Sequence, residues 1–121
     1  MVVISRVAQG AAAEDLALRY LEVQGLTLVT RNFRCRLGEL DLIMRDGEHL
    51  VFVEVRSRRQ TCYGTPAESV TRTKQQKLLR TAALYLQRQH LELPCRFDIV
   101  AVLQPGGEPK IEWIRDAFQL T

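Results

Sequence analysis

The chain has 121 residues, 46% of them hydrophobic, enough for one globular domain with a real core (1–121) and too few for two independent ones. A net charge of +3 and a pI near 9.0 suit a polyanionic partner without requiring one. The three cysteines, Cys35, Cys62 and Cys95, show no Cys-x-x-Cys spacing and lie far in sequence from His49 and His90, so they read as reduced thiols that hold no metal.

In chain order, "MVVISRVAQGAAAEDLALRY" carries Arg6, Glu14 and Asp15 where a signal peptide would be apolar, and no run is long enough to span a bilayer. A soluble protein that stays in the cytoplasm, with no membrane partner, is expected. From about Gln9 to Gln24, residues Ala13, Leu16, Ala17, Tyr20 and Leu21 recur at helical spacing, and Gly25 supplies the stop. "TLVTRNFR" and both arms of "GELDLIMRDGEHLVFVEVRSR" read as three strands, with Asp46-Gly47 a strong hairpin signal between the second and third. The polar, basic "SRRQTCYGTPAES" is a loop marked by Gly64 and Pro66. Thr71 to about Gln89 repeats the helical stripe through Leu78, Leu79, Ala82, Tyr85 and Leu86. "CRFDIVAV" and "IEWI" close the chain as two strands joined by the turn-rich "LQPGGEPK". The order helix, three strands, helix, two strands predicts an α/β or α+β domain with a mixed sheet.

Within these strands Glu39, Asp41 and Glu54 are carboxylates set among Leu, Ile, Val and Phe, where an unpaired charge is costly to bury. Side chains alternate along a strand, so Glu39 and Asp41 share one face, and Glu54 shares a face with Arg56. A turn centred on Asp46-Gly47 sets Asp41 opposite Phe52 and Glu39 opposite Glu54, all projecting from one side of the sheet. Asp41 and Glu54 are then diagonal neighbours roughly 7–8 Å apart, a gap that two carboxylates close around one cation. The plain alternative is a ribbon with one wet face, on which acids are ordinary. Against it, "LVFVEV" is apolar on both faces until Glu54, as in a strand covered on both sides, and a metal-binding acidic cluster is the favoured reading.

The helices supply further candidates. Glu14 lies on the line of Leu18 and Leu21 at the edge of the first apolar stripe, placed either to lean towards the core or to act as an acid in the first helical turn. Gln75 falls on the centre line of the second stripe with Lys74 and Lys77 beside it, either in an exposed first turn or within reach of a phosphate. Arg56, Arg58, Arg59, Arg72, Lys74, Lys77 and Arg80 form one basic stretch, suited to a nucleic-acid backbone held over a metal and equally to a solubilising surface.

Gly38-Glu39-Leu40-Asp41, the hairpin and Glu54-Val55-Arg56 resemble the PD-(D/E)xK nuclease signature, in which an Asp on one strand and an acid-x-Lys on the next hold the catalytic metal. With Gly10 and Glu14, "RNFR", "VFVEVRSR", the Lys74 helix with "AALYL", and "RFDIV", nearly the whole chain resembles the YraN-like family of predicted nucleases, similar in turn to archaeal Holliday junction resolvases. The resemblance implies a restriction-endonuclease-like core, Asp41, Glu54 and Glu14 as Mg²⁺ or Mn²⁺ ligands, Glu39 and Gln75 behind them, and Arg58, Arg59, Arg72, Lys74 and Lys77 on nucleic acid. DNA is the first expectation for that partner, branched DNA included, and a homodimer stays open. Arg56 departs from the usual Lys; arginine stays protonated, so it can stabilise phosphoryl charge but not act as a base, and either Arg56 or Lys74 carries the basic role or the chemistry is lost. The implied activity is metal-dependent phosphodiester hydrolysis, with a non-catalytic nucleic-acid-binding module on the same fold as the alternative.

Overall fold

A computed structural model describes residues 6–58, 69–103 and 108–119, apart from the side chains of residues 6–9 and of Arg58. The elements follow the expected order: α1 (Arg6–Val23), β1 (Thr27–Cys35), β2 (Gly38–Asp46), β3 (His49–Arg58), α2 (Arg72–Arg88), β4 (Cys95–Leu103) and β5 (Lys110–Phe118). The strands form a mixed five-stranded sheet in the order β1-β2-β3-β4-β5, antiparallel except for the parallel β3–β4 pair that α2 connects. The last strand runs well beyond the four residues of "IEWI". No helix among the described residues is long and apolar enough to cross a membrane.

Each face of the sheet carries one helix. Alternation along β2, β3 and β4 sends Leu42, Met44, Val51, Val53, Val100 and Val102 to α1, where Ala13, Ala17 and Leu21 meet them. Ile43, Leu50, Phe52 and Ile99 go to the other face, under Leu78, Ala82 and Tyr85 of α2. Val51, Phe52 and Val53 are all buried, so β3 is covered on both sides, as its continuous apolar run predicts.

The ends of both helices are fixed by specific bonds. Gly25, at φ +102°, donates its N–H to Glu22 O at 3.0 Å, and Leu26 N–H donates to Leu21 O at 3.0 Å, a Schellman end for α1. Helix α2 starts at Thr71, whose Oγ1 accepts the N–H of Lys74 at 3.2 Å.

The hairpin register differs from the expected one. Asp46 pairs with His49 and Leu42 with Val53, so the two loop residues are Gly47 and Glu48 rather than Asp46 and Gly47. Gly47 has φ +61° and Glu48 has no positive φ, which is the II′-like use of glycine at the first loop position, one place later than an Asp-Gly type I′ turn. Every cross-strand partner on β3 therefore moves by two residues. An even shift preserves the faces, and it carries Asp41 from a diagonal position to one level with Glu54.

Across the sheet, Asp98 is fully buried on β4 and bonded on every side. Trp113 Nε1 donates to its Oδ2 at 2.9 Å, the Asp116 backbone N–H to Oδ1 at 3.0 Å, and Arg96 Nε to Oδ1 at 3.1 Å. Arg96 also reaches Asp46 at the hairpin, Nη2 to Oδ2 at 2.9 Å. This network ties together the β2 end, β4 and the bulged start of the β4–β5 pairing, where Asp116 sits at φ +52°. Asp98→Ala leaves an indole N–H, an amide N–H and part of a guanidinium without their acceptor. We expect it to cost about 3 kcal/mol in urea unfolding; a loss below about 1 kcal/mol would show that water replaces the carboxylate.

Candidate active site between β2, β3 and α2

Backbone pairing of β2 with β3 runs from Asp46–His49 to Leu42–Val53. One step further the Asp41 side chain takes the place of a strand: Val55 N–H donates to Asp41 Oδ2 at 2.8 Å. Glu54 lies alongside, and Lys74, in the first turn of α2, sets its Nζ 3.2 Å from Glu54 Oε1. The Glu54 side chain is only 10% exposed and that of Lys74 36%, so this ion pair is partly withdrawn from water. Asp41, Glu54, Lys74, Lys77, Glu39 and Arg34 line a pocket of about 360 Å³, with Cys35, Gly38, Leu78 and Thr81 completing its wall.

The wall is closed by a near contact between β2 and α2. Gly38 sits at φ +153°, and a Cβ there would come within 2.9 Å of Thr81 Oγ1 and 3.6 Å of the Lys77 side chain. Only glycine lets the strand start this close to the helix. Thr81, fully buried, donates its hydroxyl to Lys77 O at 2.8 Å, so it adds no unpaired group to the wall.

The electrostatics of the pair are unbalanced. Burial pushes the Asp41 carboxyl up to about 7, and the Glu54 charge beside it pushes the same way, with Glu39 adding to both. The Val55 N–H and the Lys74 ammonium oppose this and do not cancel it. Glu14 is raised as well, by burial first and then by Asp41, while Arg31 opposes and Glu39 and Asp15 add. Glu14 is thus near enough to feel Asp41 from the α1 side. It stands in mid-helix, not in a first turn, 3.8 Å from an Arg31 nitrogen that Asp15 holds more closely at 2.9 Å.

The remaining candidates are placed as follows. Glu39 sits at the rim in an ion pair with Arg34, its direct partner on β1, at 3.0 Å. Arg56 does not line the pocket: its Nε donates to Ser69 Oγ and its Nη2 to Ser69 O, both at 3.2 Å. Gln75 is likewise turned away, its Nε2 donating to Val70 O at 3.0 Å. Lys77 joins Lys74 at the pocket, whereas Arg72 lies on the opposite flank of α2. The Arg58 side chain and all of Arg59 lie outside the described residues. Sequence reasoning gave no site role to Arg34, Gly38 or Thr81; the β1–β2 turn at Arg36-Leu37 has no glycine or proline signal, so the Arg34–Glu39 pairing could not be read.

These features define an α+β protein with a helix on each face of a mixed sheet and a pocket built on two adjacent carboxylates and a lysine. The chain belongs to the uncharacterised protein family UPF0102, whose family model matches residues 13–102, a span that includes every residue of the pocket. A UPF0102 protein of Stutzerimonas stutzeri is 52% identical over 112 residues, covering 91% of this chain and 93% of that one. Another from Cupriavidus metallidurans is 53% identical over 113 residues, covering 93% of this chain and 81% of its own. Among solved structures, Pyrococcus furiosus SfsA in complex with Ca²⁺ aligns with a TM-score of 0.38 and 14% identity over 93% of this chain and 64% of that one, a likeness too slight to support any inference.

Unfolded, Asp41 titrates near 3.8; folded, near 7. Between those values the folded state holds a proton that the unfolded state has released, so stability falls as pH rises through the window and the penalty is complete above it. Asp41→Asn keeps an acceptor for Val55 N–H and removes the charge. In chelator, we expect the variant to be more stable than the parent at pH 8, by on the order of 2 kcal/mol, with the gain shrinking towards pH 4. Urea unfolding at both pH values checks this, and an equal effect at the two would rule out a titrating Asp41.

Proposed function

We propose that the protein is a metal-dependent endonuclease of the PD-(D/E)xK type, hydrolysing phosphodiester bonds of nucleic acid in the cytoplasm, with DNA, branched DNA included, as the first candidate substrate. The observation that carries this reading is the side-by-side placement of Asp41 and Glu54 in a concave pocket, where one lysine leaves their repulsion unrelieved. A like-charge pair of this kind lowers fold stability unless a cation joins it.

The residues fit a hard divalent ion. Mg²⁺ is commonly held by one or two carboxylates and otherwise by water and substrate phosphate, and no group of three His, Cys, Asp or Glu suited to a metal occurs among the described residues. Asp41 and Glu54 are accordingly the ligands, and Glu14 stands on α1 within electrostatic reach of Asp41. When bound, the ion supplies polarisation of a phosphoryl oxygen and a water of lowered pKa. Val55 N–H holds the Asp41 carboxylate in place. Lys74, the cation nearest the pair, stabilises negative charge developing on the phosphoryl oxygens, the role that the acid-x-Lys pattern would otherwise give to residue 56. Arg56 anchors the approach to α2 through Ser69, and Arg34 and Lys77 set positive charge at the rim.

The engagement of Arg56 by Ser69 also favours a second reading, a nucleic-acid-binding module without catalysis. Calorimetric titration with Mg²⁺ or Mn²⁺ and a cleavage panel of branched, nicked, single-stranded and duplex substrates separate the two. Nuclease action requires divalent binding and cleavage that both disappear in Asp41→Asn. It also requires that Lys74→Met lower the cleavage rate on the order of a hundredfold while divalent binding persists. Arg56→Lys should bring no gain, since lysine cannot reproduce the two-point contact with Ser69. Cleavage that survives Asp41→Asn, in a preparation free of contaminating nuclease, would refute the mechanism; tight nucleic-acid binding with neither divalent binding nor cleavage would establish the module.

A further inference from the structure

We propose that the groove on the far flank of α2, edged by Arg72 and Arg80, is a second nucleic-acid track that takes the backbone of the complementary strand, so that α2 lies between the two strands of a duplex. The proposal rests on the reading that the carboxylate pocket holds a phosphodiester, and adds to it the form of nucleic acid that fits.

Helix α2 carries Arg72, Lys74, Lys77, Arg80 and Arg88 and no acid at all. Of these, Lys74 alone makes an ion pair among the described residues. At about 100° per residue the basic side chains fall on two flanks. Lys74 and Lys77 share one with Thr81 and Leu78, facing the pocket. Arg72 and Arg80 share the other with Gln76, Leu79 and Ala83, and with Phe118 of β5 these form a groove of about 560 Å³. Its lining contains no acid. Asp116, on β5, accepts a hydrogen bond from Gln119 Nε2 at 2.7 Å and lines the adjoining hollow.

The groove therefore has a cationic edge, an apolar floor of Leu79, Ala83 and Phe118, and an exposed amide at Gln76. Phosphate oxygens match the arginines bidentately, and sugar carbons match the floor. Arg72 and Arg80 are about 12 Å apart along the helix axis, the rise of three to four nucleotides at about 3.4 Å each. With side chains the helix is about 10–12 Å across, the width of a major groove at about 12 Å. A single strand in the pocket follows one flank of α2; a duplex presents a backbone to both.

The test compares a short labelled duplex with its own single strand, in chelator and across a salt series, using the full chain. Both arginines are exposed and make no ion pair among the described residues, so the Arg72→Ala, Arg80→Ala double variant should keep the parent's unfolding midpoint. We expect it to lose about tenfold or more in duplex affinity near physiological salt and to flatten the slope of log affinity against log salt by about 2, while single-strand affinity changes less than about twofold. Lys74→Ala with Lys77→Ala should weaken both forms. Equal losses on duplex and single strand, or parent-like binding by the arginine variant, would overturn the second track and leave the pocket reading standing. A parent that binds neither form would overturn both together.

Discussion

Where β2 and β3 part beyond Leu42 and Val53, the N–H of Val55 faces a gap in the sheet, and the carboxylate of Asp41 fills it. A buried amide without an acceptor is expensive, so some acceptor is required at this point. An asparagine would serve that need with no charge to bury. Aspartate meets it at the cost of a partly buried negative charge placed level with Glu54, and the pocket's chemistry follows from that choice. The bond fixes the carboxylate's position, the neighbouring acid raises its affinity for a proton, and either a proton or a cation relieves the repulsion.

Asp98 and Asp41 make the point by contrast. Asp98 has no exposure and is met by an indole, an amide and a guanidinium, a full complement for a carboxylate that holds strands together. Asp41 receives one amide and shares one lysine with Glu54. Burial alone therefore does not mark a working acid; the shortage of compensating donors does. The surroundings of Asp41 are held as firmly as those of Asp98. Thr71 caps α2 by accepting the N–H of Lys74 itself, Arg56 binds Ser69 just before the helix, and Gly38 lets β2 approach Thr81. Lys74, which faces the pair, is thereby part of an anchored turn.

Much of this was legible in the sequence because it depends on period and parity. Alternation put Asp41 and Glu54 on a common side, apolar runs on both faces of β3 announced two helical layers, and Gly25 announced the end of α1. The hairpin was misread by one loop position because Asp-Gly fits a type I′ turn as well as Gly-Glu fits the observed one. The resulting two-residue slip left every face correct, so a wrong register still set Asp41 and Glu54 beside one another. What escaped were contacts between elements distant in sequence. Nothing in "RFDIV" tells that Asp98 meets Trp113, and nothing near Arg56 tells that Ser69 will hold it; closer in sequence, Gln75, central on its stripe, turns to Val70 O because the helix starts there. Side chains at helix starts answer to the preceding loop, which periodicity does not describe.

The first turn of α2 also explains why the positive charge gathers where it does. Helix starts favour acids, which complement the partial positive charge of the free N–H groups, and α2 has none there. It carries Arg72 and Lys74 instead, both on the unfavourable side of that field. Glu54 offsets this for Lys74 by direct pairing, while Arg72 has no ion pair among the described residues. An isolated helix would gain stability by exchanging these residues for acids. Keeping them leaves Lys74 as positive charge beside the negative pair, while Arg72 carries its charge on the opposite flank of the helix. Asp41 and Glu54 lie recessed and partly buried, whereas Arg34 and Lys77 are exposed around them, so the pocket sets positive charge at its mouth and a negative pair within.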